Sequence, residues 1–323
     1  MNNSENNRIG LGTAAIGRPQ YINIKQDNDE KSKPFSLVQF EEKGMSMLDN
    51  AYENGIRHFD TSRGYGIAES ILNDWVKAKN DPSIIVSTKW GYTYMANFNP
   101  NATLHEIKDH SINTLKEQWS ISKGLLPYLK IYQIHSATFE SGVLDDAEVL
   151  EYLHAIKKSY AIKIGLSTTG DNQVDVLKKA IGIKVQGERL FESFQCTFNV
   201  LDQSILDLKS TLSCFGGELI LKEVLANGRL LPNEQYYHYS NLYNFINSLA
   251  DKYDVRADAI VLRYAMDSFP NALVLSGANN GKQLRSNLKV NSFRLSPSDM
   301  EQLNTFGIGS TDYWNERKKL KWN

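Results

Sequence analysis

Short, almost uninterrupted apolar runs recur along the chain, separated by longer stretches in which apolar positions return every three or four residues. The short runs are RIGLGTAA, IRHFDT, IIVSTKW, LKIYQIH, IKIGLST, LFESFQCTF, ELILKEV and ALVLSG. Continuous apolar character is expected of strands covered on both faces, whereas a strand with one wet face alternates. The longer stretches have helical period. In DDAEVLEYLHAIKKSY, Val149, Leu150, Leu153 and Ile156 share one face, while Asp145 and Asp146 suit the positive end of a helix. SNLYNFINSLADKYD and RADAIVLRYAM repeat the pattern, so two helices are predicted before the last strand. The strands recur at roughly 30 residues, the length of one βαβ step, and eight of them predict a parallel α/β protein. A chain of 323 residues suits either one barrel or two domains. No Pro-, Gly- or Ser-rich linker divides it, which favours one domain over 1–323, a closed (β/α)8 TIM barrel, rather than a doubly wound sheet with a second domain.

Three segments break the alternation: residues 18–36, a polar insert after the first strand; GYTYMANFNPNAT after the third; and the tail 307–323, expected over the barrel mouth. Long βα insertions lie on the face where barrel enzymes do their chemistry. Charge narrows the partners. Lys plus Arg number 36 and Asp plus Glu 37, so no general attraction to nucleic acid or anionic membrane is expected, and Arg317, Lys318, Lys319 and Lys321 read as a solvated end. No apolar run approaches the ~20 residues of a membrane span, and the N-terminus has no signal-peptide progression. A cytoplasmic protein with a small-molecule partner is expected. Cys196 and Cys214, without metal-ligand spacing, are expected to be buried core thiols, and no metal site is expected.

The chemistry-bearing residues fall at strand ends. Asp60 closes the second strand, Lys89 the third and His135 the fourth, and Tyr65 hangs in the glycine-flanked turn after Asp60. The C-terminal ends of barrel strands carry the active site, so the four are expected to converge. A free phenol ionises near pH ~10, and a nearby lysine is expected to draw Tyr65 toward neutrality as a proton donor. Asp60 would pair with a buried Lys89, and His135 is suited to donate a hydrogen bond to a carbonyl oxygen. None of the four supplies a hydride, which points to a nicotinamide cofactor. His58, His105, His110, His154 and His238 lack matched partners and read as structural or solvated. Gly10, Gly12 and Gly17 do not fit the dinucleotide fingerprint and read as close packing in a first strand.

These residues resemble the aldo-keto reductase superfamily: FDTSRGYGIAES its Asp and Tyr segment, VSTKWG its Lys strand and IYQIHS its His strand, in the same order. The likeness runs from GLGTAA to LSGANNGKQLRSNL. The resemblance implies a barrel binding NADP(H), less often NAD(H), without a Rossmann domain. It implies that Ser167 and Gln195 hold the nicotinamide carboxamide and that Gly277, Ala278, Asn279, Gln283 and Asn287 hold the adenosine end. Thr168 stands where an Asn often follows the Ser, and Lys222 where an aromatic commonly stacks on the ring. Asn279 and Gln283 replace the basic residue often set against the 2′-phosphate, with Lys282 and Arg285 as substitutes.

A carbonyl–alcohol oxidoreductase acting on an aldehyde, ketone or sugar is therefore expected, with a hint toward the sugar-oxidising bacterial branch. A nicotinamide-binding regulatory barrel without turnover and a redox-assisted sugar epimerase or lyase are the alternatives. Trp90, Tyr92 and Tyr94 are expected to form one wall of the substrate pocket, with Tyr21 as a lid.

Overall fold

The computed structural model describes residues 7–20, 24, 35–99 and 101–322. Eight parallel strands close into a barrel: β1 (Ile9–Gly12), β2 (His58–Asp60), β3 (Ile85–Trp90), β4 (Leu129–Ala137), β5 (Lys163–Thr168), β6 (Phe191–Thr197), β7 (Glu218–Lys222) and β8 (Leu273–Ser276). Each pairs with its sequence neighbours, and β1 closes on β8 with Ile9 opposite Val274. All eight predicted apolar runs are barrel strands. The intervening helices are α1 (Leu37–Glu53), α2 (Ala68–Lys79), α3 (Ile112–Ser122), α4 (Ala147–Tyr160), α5 (Gln173–Gly182), α6 (Lys209–Phe215), α7 (Ser240–Tyr253), α8 (Ala257–Ser268) and α9 (Gly281–Leu288), followed by α10 (Pro297–Asn304) and α11 (Ser310–Lys318).

Local chemistry sets the helix ends. The Asp146 carboxylate accepts from the Val149 amide and starts α4, whose Val149, Leu153 and Ile156 are buried as the period predicts. Two helices, α7 and α8, do precede the last strand. Cys196 lies in the core, but Cys214 is exposed, contrary to expectation. On the short α6 the inward face belongs to Leu212 and Phe215, which turns Cys214 outward. Among the described residues no helix is long and apolar enough to cross a membrane.

The inserts take definite shapes where they are described. Residues 92–108 form an antiparallel hairpin, Tyr92–Tyr94 against Glu106–Lys108. The tail folds into α11 and is clamped by Arg317, whose guanidinium meets Glu223 at 2.7 Å. Trp322 beyond it stacks on His105, centroids 4.5 Å apart. Most of the first insert, including Tyr21, lies outside the described residues.

Two contacts tie this frame to the loops above it. His110, at the foot of the hairpin, donates from Nε2 to the His135 carbonyl at 2.9 Å. Gly17 lies so close to the Tyr65 turn that a Cβ there would meet the Tyr65 carbonyl at 2.1 Å and Ala68 Cβ at 2.3 Å. Gly17 is closely packed, backbone against backbone, but at the end of the short helical turn Ala14–Gly17 rather than in the first strand, which ends at Gly12. Gly17→Ala is expected to destabilise by about 1–3 kcal/mol or more, because two main-chain segments must part; equilibrium denaturation of wild type and variant measures it, and equal midpoints would refute the contact.

Burial, followed by the Lys108 charge, pushes the His110 pKa down from 6.5 to about 4. Between those values the unfolded chain binds a proton that the folded chain does not, so stability falls as the pH drops through this window. His110→Gln removes that titration. The wild type is expected to lose about 2 kcal/mol more stability than the variant between pH 7.5 and 5, read from denaturant titrations at both pH values; parallel losses would exclude it.

Candidate active site

The four strand-end residues meet at the C-terminal mouth of the barrel. Lys89, wholly buried, donates from Nζ to Asp60 Oδ2 at 2.5 Å and to the Thr61 carbonyl at 2.9 Å. The other Asp60 oxygen accepts from Ser87 Oγ at 2.7 Å and Gln195 Nε2 at 2.9 Å. An ammonium and a carboxylate taken out of water are tolerated only with such complete partnering. Just above them, the Tyr65 ring lies 5.0 Å from Lys89 Nζ, 5.4 Å from the Arg18 guanidinium and edge-on to His135 at 5.4 Å. A bend delivers His135 to the mouth: Ser136 takes a φ of +54° where β4 slips register, and its amide donates to Ser167 Oγ at 2.8 Å.

The electrostatics differ from expectation at Tyr65. Burial raises its pKa far above the usual phenol value, and the Asp60 charge raises it further, with Arg18 opposing. The ammonium expected to lower it is already neutralised by Asp60. Tyr65 is thus a neutral phenol, able to donate but not prone to ionise. Burial, reinforced by Lys89, Lys222 and Arg18, holds His135 well below the ordinary imidazole value, so its ring is neutral as well. Ser62 Oγ sits 2.9 Å from His135 Nδ1. The same hydroxyl lies 3.3 Å from the Lys89 carbonyl, so its one proton serves either that oxygen or Nδ1, and only in the second case does the neutral ring carry its proton on Nε2, facing a ligand.

A cleft of about 1730 Å³ opens from this cluster. It exceeds the ~300–1,000 Å³ of an ordinary small-molecule pocket. Asp60, Tyr65, His135, Gln195 and Lys222 line it, as do Gly277, Ala278 and Asn279 after β8 and Gln283 and Asn287 of α9. The remaining predicted residues divide. Ser167 has its oxygen engaged by Ser136 and does not border the cleft. Thr168 is a correction: it is fully buried and its hydroxyl turns to Gln173 Oε1 at 3.1 Å, while the next residue, Thr169, faces the cleft. Trp90 is another. It packs in the core against the His110 ring at 5.5 Å with no exposed surface, because strand alternation turns it away from the barrel interior that Lys89 occupies. Tyr92 does line the cleft, its ring 4.6 Å from that of His135. Tyr94 packs on Phe98 at 5.5 Å and donates no wall.

Several residues of the site carried no sequence signal. Arg18, nearly buried, bonds the Gly64 carbonyl at 3.0 Å and Glu106 at 2.8 Å and stacks on Trp322 at 4.7 Å. It joins the first insert, the hairpin and the tail beside Tyr65, a meeting of distant segments that no local pattern announces. Glu223 has a left-handed φ of +53°. Burial would raise its pKa, but Arg317 and Lys222 hold it down to about 2.

The start of α9 suits a phosphate. Helix α9 begins at Gly281 with Asn280 Oδ1 capping the Gln283 amide at 3.0 Å, carries no acid in its first turn, and presents Lys282 to the cleft. Early helix amides have no intrahelical partner and bear partial positive charge.

Comparison with known proteins agrees with this fold. The structure is similar to the glycerol dehydrogenase AKR11B4 from Gluconobacter oxydans, with a TM-score of 0.69 at 19% identity, over 93% of this chain and 90% of that one. It is similar to the aldo-keto reductase AKR11C1 from Bacillus halodurans, holo form, with a TM-score of 0.67 at 19% identity, over 94% and 92%. A Gox0644 variant in complex with NADPH aligns over 97% and 94%, with a TM-score of 0.63 at 19% identity. In sequence, the uncharacterized oxidoreductase YqkF of Bacillus subtilis (strain 168) is 24% identical over 281 residues, 83% of this chain and 89% of that protein. The model of the aldo/keto reductase family matches residues 8–308, nearly the whole chain, and the chain belongs to that family.

Proposed function

We propose that this chain is an NADP(H)-preferring oxidoreductase that interconverts a carbonyl and its alcohol, with Tyr65 as proton donor. The observation that carries the reading is the neutral Tyr65 phenol beside a neutral His135, both bordering a cleft that Asp60 also lines, with Lys89 buried behind it. A bound nicotinamide supplies the hydride. The chain does the rest. His135 donates to the carbonyl oxygen and orients it; Tyr65 delivers the proton as that oxygen gains charge; Arg18, the cation that opposes the rise in the Tyr65 pKa, steadies the phenolate left behind, and Lys89, held by Asp60, anchors the turn that carries Tyr65. In the opposite direction the same phenolate takes the proton from an alcohol.

Gln195 and Lys222 are proposed to hold the nicotinamide end, with Ser167 reaching it only by rotation of its hydroxyl. Gly277, Ala278, Asn279, Gln283 and Asn287 are proposed for the adenosine end. Asn279 and Gln283 bond each other, amide to Oε1 at 3.0 Å, so the 2′-phosphate falls to Lys282, which faces the cleft. The substrate is proposed to be a sugar or polyol: Tyr92, Ser136, Thr169 and Glu106 give one aromatic face among polar groups. The glycerol dehydrogenase AKR11B4 offers a parallel.

Tyr65→Phe is expected to lower kcat about 10²–10⁴-fold while leaving NADPH affinity within threefold; steady-state kinetics and calorimetry read the two, and wild-type turnover in the variant would remove Tyr65 from the role. Lys282→Ala is expected to weaken NADPH about 10- to 100-fold and leave NADH unchanged. Titration of both cofactors decides it, and equal loss for the two would mean that Lys282 does not read the 2′-phosphate.

A further inference from the structure

Four basic side chains stand together at the barrel mouth. Three are neutralised by carboxylates: Lys89 by Asp60 at 2.5 Å, Arg18 by Glu106 at 2.8 Å and Arg317 by Glu223 at 2.7 Å. The fourth, Lys222, forms no ion pair among the described residues. Its Nζ donates to the neutral Thr197 hydroxyl at 3.0 Å and lies 6.0 Å from the Trp314 ring. Among the described residues these four cations thus face three carboxylates, with Glu223 felt by Lys222 as well as by Arg317, and with His135 neutral the excess positive charge rests on Lys222, the one without an ion-pair contact.

That charge is half-buried, so water screens it only in part. It acts on the proton set, because Lys222 is one of the cations that suppress protonation of His135. Any hydride donor must come within a few ångströms of the carbon whose oxygen meets Tyr65 and His135. Lys222 lines the same cleft as those residues and the phosphate-suited helix start, and its charge reaches His135, so a donor held against Tyr65 and His135 lies within its field.

We propose that Lys222 makes the site discriminate between the two redox forms of its cofactor, binding the reduced form more tightly than the oxidised one. Loss of a hydride turns a neutral dihydronicotinamide ring into a pyridinium cation. An unpaired ammonium alongside repels the cation and is indifferent to the neutral ring. When both forms are present the cleft therefore fills with the reduced one, and the oxidised form leaves readily. This rests on the proposed binding of a nicotinamide cofactor.

The test is calorimetric titration of wild type, Lys222→Met, Lys222→Gln and Lys222→Arg with NADPH and with NADP. The quantity read is the ratio of the oxidised to the reduced dissociation constant. It is expected to fall about tenfold in the Met and Gln variants, mainly through tighter NADP, and to stay within threefold of wild type in the Arg variant. Gln can still donate to Thr197, so it separates charge from hydrogen bonding. A wild-type ratio in Met and Gln, with both ligands still bound, would overturn the role of Lys222 and leave the cofactor reading standing. Failure of every protein to bind either form would overturn both.

Discussion

The structure turns on one buried contact, the ammonium of Lys89 against the carboxylate of Asp60. Neither charge could be desolvated alone, and the pair is tolerated because both carboxylate oxygens are bonded: Ser87 from β3 and Gln195 from β6 on one, Lys89 on the other. Lys89 also reaches the Thr61 carbonyl, and the turn continues with the Arg63 amide on the Lys89 carbonyl at 3.1 Å. The interaction that fixes the barrel's polar interior thus also fixes the start of the loop carrying Tyr65. An apolar pair of similar volume could fill the space, but it would leave that loop without its anchor.

Around this centre the protein keeps its acid–base groups uncharged. At Tyr65 and His135 burial leads and the nearest charges add to it, Asp60 pushing the first up and Lys89, Lys222 and Arg18 pushing the second down. Both are hydrogen-bond donors in the resting state with no proton to gain from solvent. Preorganised donors of this kind cost no reorganisation when charge develops on a ligand oxygen.

Much of this was legible in the chain because two patterns were strong. Strands covered on both faces leave continuous apolar runs, and all eight were found. The Asp60, Tyr65, Lys89 and His135 set was visible because a lone charged or aromatic residue at the end of such a run is out of place there. What was missed depends on direction and distance. Trp90 follows Lys89 at once, but a strand turns consecutive side chains to opposite faces, so proximity in sequence put it in the core. Thr168 was misplaced by a single position for the same reason. The behaviour of Tyr65 was misjudged because the charge meant to tune it is spent on Asp60, and Arg18 was overlooked because its partners are 46 and 88 residues away.

The hairpin after β3 has a consequence for redesign. It looks like a detachable wall, a 92–108 excursion outside the barrel sheet. Yet Glu106 neutralises Arg18 beside Tyr65, and His110 at its foot holds the carbonyl of His135. A loop transplanted from another protein to alter ligand choice would detune both proton-handling residues unless it carried an acid and an imidazole at those two points. The hairpin and the Tyr65–His135 cluster are one coupled unit, and chimaeras should be cut outside residues 91–110.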